Sequence, residues 1–521
     1  MRLIGATLSL LGVLAVVGEL AGISFPTARW FFETSRKVPW LNTSPGDFPW
    51  FGWLGAGAAI ACGFSILIRT LARGPANPVT VRRIRRFREI KRGYYSLLIL
   101  LALMAVAMLD QVIVGKQALA VQYKGNWVFP AFRPVEMKNK DFGITAESPE
   151  APANYRKLRK TFKDTGEGRV IMPLIPYDPT GDTLPPRSRA LVEREGVYHE
   201  SGSRKPYYGL AARYYDVADS RIQIRYTLRK GILSGSVDGW DATGNPVYSA
   251  DYVDGKTVNE RYTGSGTKEE FLAAATGELR AVKYHPAPPI PEEGNWLGTT
   301  SQGYDVLAYL YGGLQVNFKA AVIYLPIVYL IGVTLGMMMG YLGGWFDLTV
   351  QRIIEIFSNM PFLFVVIIFS SMVPDRFKGL PVILTILIAF GWMGMTYLMR
   401  TAAYRDKERD YISAARVLGA GTPRIIFRHL LPNTVAIIVT LVPFSMSGLV
   451  FSLTALDYLG FGLPPEYATW GRLLNDGLSN LSAPWLVTST FVVLVGLLVL
   501  ITFIGEAVRE AFDPKKFTYY R

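Results

Sequence analysis

The 521-residue chain contains one cysteine, Cys62, and three histidines, His199, His285 and His429. A single thiol excludes any disulfide within the chain, so every folded region must hold without one. The histidines are scattered, with no spacing that pairs two on one face, which argues against a histidine-based metal site. Also lacking is a phosphate cradle. GSGTKEE at 264–270 is glycine-rich but does not have the G-x-x-x-x-G-K-[ST] spacing, and reads as a turn before a short helix. If ATP is used, another chain binds it. Asp110, Glu19 and Asp457 lie near the ends of apolar runs, without a midplane base in sequence, which argues against proton coupling.

What the chain has in abundance is long uncharged blocks. A hydrocarbon core about 30 Å thick needs roughly 20 apolar residues of helix. Eight candidates follow, at about 3–25, 49–69, 95–115, 320–342, 354–373, 379–399, 433–456 and 484–505. The first is read as an uncleaved helix; Arg2 before an apolar stretch leaves a signal peptide as the alternative.

The formal charge of +14 is concentrated between these runs. Arg69, Arg73, Arg82, Arg83, Arg85, Arg86, Arg88, Lys91 and Arg92 crowd one connector, and a second group spans Arg400 to Arg428. That distribution fits the positive-inside bias of a membrane protein and not nucleic-acid binding. It sets the connector 70–94, the loop 400–432 and a tail with Arg509, Lys515, Lys516 and Arg521 in the cytoplasm, both termini inside, and 116–319 outside. In VRRIRRFREIKRG at 81–93, Val81, Ile84, Phe87 and Ile90 form an apolar stripe. Such a helix should lie on the cytoplasmic leaflet as a surface anchor, with partner docking as the alternative.

Residues 116–300 are charged, Tyr-rich and punctuated by Pro and Gly. RIQIRYTL at 221–228 alternates as a strand does, DATGNPVYS at 241–249 and DYVDGKTVNERY at 251–262 read as hairpins, and KEEFLAAATGEL at 268–279 as a short helix. PAPPIPEEG at 286–294 is a stiff extended linker. The expected architecture is an α-helical polytopic membrane protein of about eight spans with an inserted extracytoplasmic α+β domain. Its parts are 1–94 with two N-terminal helices and the basic connector, 95–115 as the first core helix, 116–300 as the inserted domain, and 301–521 with five spans.

Gly332, Gly336 and Gly340 recur every four residues on one helix face, and Pro326 and Pro361 interrupt the same region. Small residues at that spacing permit close helix approach, and such an interface in a transport path could also move. The stretch YISAARVLGAGTPRIIFRHLLPN at 411–433 is polar, basic and free of catalytic groupings. Tyr411 to Ala420 is read as a helix presenting Ala414, Ala415, Leu418 and Gly419 on one low-bulk face suited to a groove on another protein. Gly421 and Pro423 should end it, and Pro432 should begin the next helix.

This stretch resembles the EAA loop of ABC importer permeases, in the form used by the oligopeptide/dipeptide family. Ala414, Ala415 and Gly419 fall on the motif's Ala-Ala and Gly, and Ser413 stands where the motif has Glu. NWLGTTSQGYDVLAYLYGG at 295–313 resembles the segment that precedes the permease core, with Trp296, Gly298, Thr299, Gly303, Asp305 and Val306 in agreement. Thr300 and Tyr304 replace the usual Asp and Arg, so a salt bridge between them does not carry over. ALDYLGFGLPPEYATWGRLLNDG at 455–477, with Gly460, Gly462, Trp470 and Gly471, is similar too, as are APWL at 483–486 and FIGEAVREAFDPKK at 503–516. The wording is most like the microcin C/peptide permease subgroup.

The resemblance implies a type I importer core at the bacterial inner membrane. It implies a second, different permease subunit, two ATP-binding subunits carrying ATP and Mg, and a periplasmic binding protein. This chain would be non-catalytic and bind no cofactor. Ser413, Ala414, Ala415, Arg416, Leu418, Gly419, Ala420 and Pro432 would form the docking segment for the ATPase. A secondary transporter or channel is the alternative from another class.

Overall fold

The computed structural model describes residues 2–32, 49–71, 78–133, 136–143, 149–184, 187–200, 206–215, 222–241, 243–273, 278–283, 286–287, 289, 291, 294–374, 377–481 and 483–512. Arg73, His285, Lys515, Lys516 and Arg521 lie outside them, as do parts of the connector 70–94, the short helix read at 268–279 and the linker 286–294.

The chain begins with helices α1 (Arg2–Ala21), α2 (Trp50–Leu71), α3 (Pro78–Glu89) and α4 (Lys91–Met108). Strands β1 (Ala120–Tyr123) and β2 (Asn126–Val128) follow, then α5 (Tyr155–Thr165) and β3 (Gly168–Ile171). Next come β4 (Arg187–Arg194), β5 (Val197–Glu200), β6 (Gly209–Tyr214), β7 (Ile222–Arg229), β8 (Ile232–Trp240), β9 (Pro246–Val253), β10 (Lys256–Tyr262), α6 (Lys268–Ala273) and β11 (Arg280–Lys283). The rest is helical: α7 (Val306–Leu342), α8 (Gly344–Asn359), α9 (Phe362–Met372), α10 (Leu380–Asp406), α11 (Asp410–Val417), α12 (Thr422–Tyr458), α13 (Trp470–Ser479) and α14 (Pro484–Phe512).

Six helices among the described residues are long and apolar enough to cross a membrane: α2, α4, α7, α10, α12 and α14. The first expected candidate corresponds to α1, 20 residues long and apolar over Gly5–Ala21. The expected eight is corrected at one place. The fifth is not one helix: α8 and α9 meet at a 79° bend and make at most a broken span. Pro361 sits at that break, and Met360 before it is extended with ψ 124°. A residue preceding proline is pushed out of the helical region by contact with the ring, so the chain turns there.

The chain divides into two compact units, 1–182 with 306–479 and 486–521, and 183–305 with 480–485. The stretch read as one inserted domain over 116–300 therefore contributes to both. Its first part, β2-β1-β3 with α5 packed through Leu158 and Phe162, belongs to the helical unit. The second unit is built on an eight-stranded antiparallel sheet of order β10-β9-β8-β7-β6-β11-β4-β5. Ile224, Val237, Tyr248 and Ala250 of β7, β8 and β9 form one of its core clusters. Four hairpins turn on residue pairs with positive φ at both positions: Lys124-Gly125, Glu195-Gly196, Lys230-Gly231 and Asp254-Gly255. Two positive φ values match the right-handed twist of the flanking strands.

GSGTKEE is the N-terminal cap of α6. The Thr267 hydroxyl accepts from the Glu270 amide at 3.3 Å, and the Glu270 carboxylate accepts from the Thr267 amide at 3.1 Å. This reciprocal pair satisfies two amides that a helix start leaves open.

In the helical unit the N-terminal hairpin is tied to the spans by polar contacts. Asp110, buried after α4, accepts from Arg29 Nε at 2.6 Å, Trp30 Nε1 at 3.2 Å and Gln315 Nε2 at 3.0 Å. Three side-chain donors thus hold the carboxylate that the sequence placed only at the end of an apolar run.

A lever helix and a glycine-lined helix pair

Segment 405–433 is built in three steps. At the end of α10, Asp406 is buried and paired with Arg405 at 3.0 Å and Arg409 at 3.1 Å. Helix α11 then runs for eight residues. It ends in a left-handed glycine, Gly419, with φ +77°. The Gly419 amide donates to the Arg416 carbonyl at 2.9 Å and the Ala420 amide to the Ala415 carbonyl at 3.0 Å. Those two bonds are the Schellman closure, which requires a residue that tolerates positive φ. The motif glycine thus serves as a helix stop. Gly421 and Pro423 do the opposite of what the sequence suggested: they cap and open α12. Pro432 lies inside the continuous course of α12, just after a π-helical stretch over Ile425–Leu430.

The faces of α11 also divide differently from the expectation. Ile412 and Ala415 point inward and are buried. Ile412 joins a cluster with Val333 and Met337 of α7, Met399 and Ala403 of α10, and Ile425, Ile426 and Leu430 of α12. Ser413, Ala414 and Arg416 are exposed, and Val417 and Leu418 are 88% and 86% exposed. Ala415 therefore does not share the outward face with Ala414. At 100° per residue it falls on the side of Ile412, one turn earlier. Val417 belongs to the outward surface instead and is absent from the motif-based set. Arg416 Nε donates to the Tyr341 hydroxyl at 3.3 Å, and Asn433 Nδ2 to the Tyr411 hydroxyl at 2.7 Å. One side of the helix is keyed to three spans while the other is bare.

Gly332, Gly336 and Gly340 face α10. A Cβ at Gly332 would lie 2.8 Å from the Met395 Cβ, at Gly336 2.4 Å from the Thr396 carbonyl oxygen, and at Gly340 2.5 Å from the Arg400 carbonyl oxygen. The helices touch backbone to backbone along three turns. Within a bilayer, where apolar burial gives little driving force, such dispersion contact is what holds helices together. Just past the end of α7, α8 is joined to α10 by a bidentate ion pair that sequence reasoning missed. Arg400 Nε and Nη2 donate to the two oxygens of Asp347 at 2.5 and 2.7 Å, and the Tyr404 hydroxyl donates to the same carboxylate at 2.7 Å.

The segment 455–477 closes on Asp457. Gly460, φ +82°, stops α12 with the same pair of bonds used at Gly419. The Asp457 carboxylate then accepts from the Leu463 amide at 2.7 Å. A Cβ at Gly462 or Gly471 would run into Asp457 itself, so the two glycines make room for the fold-back. Trp470, 1% exposed, donates from Nε1 to the Leu310 carbonyl at 2.9 Å and lies on Gly313.

In the second unit, 294–305 is a tight loop. Gly298, φ +77°, approaches Trp485, and the Thr299 hydroxyl accepts from the Ala287 amide at 2.7 Å. Asp305 is wholly buried and accepts from Asn295 Nδ2 at 2.6 Å. Gly303 donates its amide to the Thr300 carbonyl at 3.0 Å. Thr300 and Tyr304 close the loop without a charge: the Tyr304 amide donates to the Thr300 hydroxyl at 3.1 Å, and the Thr300 amide to the Tyr304 carbonyl at 2.9 Å. Trp296 stays exposed.

These features coincide with a known family. The family described as "Binding-protein-dependent transport system inner membrane component" matches residues 332–518, which hold the glycine stripe, the lever helix and the Asp457 fold-back. The "Inner membrane ABC transporter permease protein YejE" of Escherichia coli is 43% identical over 44% of this chain and 67% of its own length. The chain belongs to this family. Within it, the "Peptidoglycan transport system permease protein YejE" of Agrobacterium fabrum is 42% identical over 43% of this permease. The match spans 58% of that relative, less than two thirds of its length. The "Dipeptide transport system permease protein DppC" of Bacillus subtilis is 33% identical over 43% of this permease and 70% of its own length. These relatives place this permease in the oligopeptide/dipeptide branch.

Proposed function

We propose that this permease is the membrane-spanning subunit of an ATP-driven importer for peptides or peptide-like compounds, and that α11 is its coupling helix. The observation that carries the reading is the division of α11: Ile412 and Ala415 are keyed into the cluster of α7, α10 and α12, while Ser413, Ala414, Val417, Leu418 and Gly419 stand exposed. A contact made on the outer side reaches three spans through the inner one. The outer side is small except at Val417 and Leu418, which suits insertion into a groove on an ATP-binding subunit. Closure of two such subunits around ATP and Mg would pull α11, and the spans would change access from one side of the membrane to the other. The names of the relatives, a dipeptide permease and a peptidoglycan-transport permease, support the substrate class.

The assembly would contain a second, different permease, two ATP-binding subunits and a periplasmic binding protein, in the bacterial inner membrane. Both termini would be cytoplasmic and 116–319 largely periplasmic, where the eight-stranded sheet would meet the binding protein or cap the path. This chain would contribute no catalysis of its own. The test is uptake by the purified assembly in proteoliposomes: peptide accumulation should require ATP and the binding protein. Flux through this chain alone, without ATP, contradicts the reading. Removing 187–283 from the intact assembly should lower uptake; undiminished uptake sinks the role given to the sheet.

A further inference from the structure

Between α2 and α4 the chain makes one additional helix, α3, twelve residues or roughly 18 Å long. Membrane-length helices flank it: α2 ends at Leu71 and α4 begins at Lys91, two residues after α3 ends. The chain therefore holds α3 close to the membrane surface. One side of it packs on protein. Arg83 lies over the Phe512 ring at the end of α14, 4.8 Å from the centroid, and Phe87 is half-buried. The opposite side is bare. Val81 and Ile84 are 44% and 51% exposed, and Arg82, Arg85 and Arg88 are exposed around them. Among the described residues no acid pairs with those three arginines. At 100° per residue, Ile84, Arg88, Val81, Arg85, Glu89 and Arg82 follow one another around a single arc, on which three arginines outweigh the one exposed carboxylate.

We infer that this arc binds anionic phospholipid headgroups, with Val81 and Ile84 entering the acyl boundary and Arg82, Arg85 and Arg88 holding phosphate. Guanidinium matches phosphate geometry with paired donors, and an apolar pair between arginines suits an interface where water gives way to hydrocarbon. An acidic protein surface would satisfy the arginines but not the apolar pair. The site also has a consequence for the bundle. Just past α3, Arg92 pairs with Glu506 and Glu510 of α14 at 3.6 and 4.0 Å, and Gly93 lies directly on Ala507. Lipid held by α3 thus braces the end of the last span.

The test uses the full-length chain with Cys62→Ser and a spin label at Ile84→Cys, reconstituted in vesicles of phosphatidylcholine alone or with phosphatidylglycerol. Collision with a water-soluble nickel chelate reports exposure. The expected result is about a tenfold fall in nickel accessibility when phosphatidylglycerol is present, since each arginine near an anionic surface adds attraction. Arg82→Gln, Arg85→Gln and Arg88→Gln together should abolish the difference. A label at Tyr95→Cys, exposed on α4, reports that the bundle is intact in each sample. Equal accessibility in the two lipids overturns the inference, whether the label is open to water in both, as for a helix with no ligand, or shielded in both, as for a protein occupant.

Discussion

Gly336 lies against the backbone of Thr396: a Cβ on the glycine would come within 2.4 Å of the Thr396 carbonyl oxygen and 2.7 Å of the Met399 Cβ. Neither neighbour can yield cheaply, because one is helix backbone and the other is buried. Gly336→Leu should force α7 and α10 apart and cost about 1–3 kcal/mol, the usual range for overpacking. Thermal unfolding of the purified chain in detergent should show a lowered midpoint. Gly394, with open space around it, provides the control, and Gly394→Ala should leave the midpoint in place.

The ion pair of Asp347 and Arg400 should behave as a unit. Asp347→Ala leaves the partly exposed Arg400 without its charge-assisted hydrogen bonds and should cost about 1.5–3 kcal/mol. Arg400→Lys should also destabilise, because an ammonium cannot donate to both oxygens in the same fork. The double change Asp347→Ala with Arg400→Met should cost less than the sum of the single changes. Denaturation midpoints of the unmodified chain, Asp347→Ala, Arg400→Met and the double variant give the coupling directly.

Gly419 should tolerate size and resist conformation. No atom lies within 4 Å of a Cβ built there, yet φ is +77°. Gly419→Ala should fray the end of α11 at a cost of about 1 kcal/mol, whereas Gly419→Asn should cost less, since asparagine enters the left-handed region more readily. Amide exchange at Gly419 and Ala420 measures the closure in each variant.

Asp241, at the β8–β9 turn, is surrounded by donors. Its carboxylate accepts from the Thr243 hydroxyl at 2.6 Å and amide at 2.9 Å, and from the Asn245 amide at 2.9 Å. These bonds favour the charged form and lower its pKa from 3.8 to about 2, with the Thr243 hydroxyl the largest cause. A depressed carboxylate stabilises the fold fully above its unfolded value. That contribution fades as pH falls from near 4 through about 2. Asp241→Asn should therefore remove part of the acid sensitivity in that window and leave the stability–pH slope above it unchanged, which acid titration followed by circular dichroism checks.

Much of this was readable from residues. The apolar runs located α2, α4, α7, α10, α12 and α14, because a span must be long and uncharged whatever surrounds it. The four-residue glycine spacing likewise marked a helix contact. Asp254-Gly255 was legible as a turn, but Lys124-Gly125, Glu195-Gly196 and Lys230-Gly231 were not, since the long side chains of Lys and Glu lack the turn preference of Asp. Pro361 was marked as an interruption, but uninterrupted hydropathy on both sides of it hid that the chain turns there into two helices. The partition of α11 was misread because small residues fit either face. Only the neighbouring Ile412, a large apolar side chain on the same side as Ala415, tells which way that side points. Asp347 and Arg400 are 53 positions apart and meet only through the crossing of two helices.

The central claim is that the outward side of α11 receives the ATP-binding subunits. The most direct measurement is copurification of those subunits with the Val417→Asp, Leu418→Asp double variant. Both side chains are exposed, so the fold should persist and the chain should remain in the membrane. The account predicts loss of the ATP-binding subunits and of ATP-driven uptake together. An intact assembly that transports at the unmodified rate would contradict it.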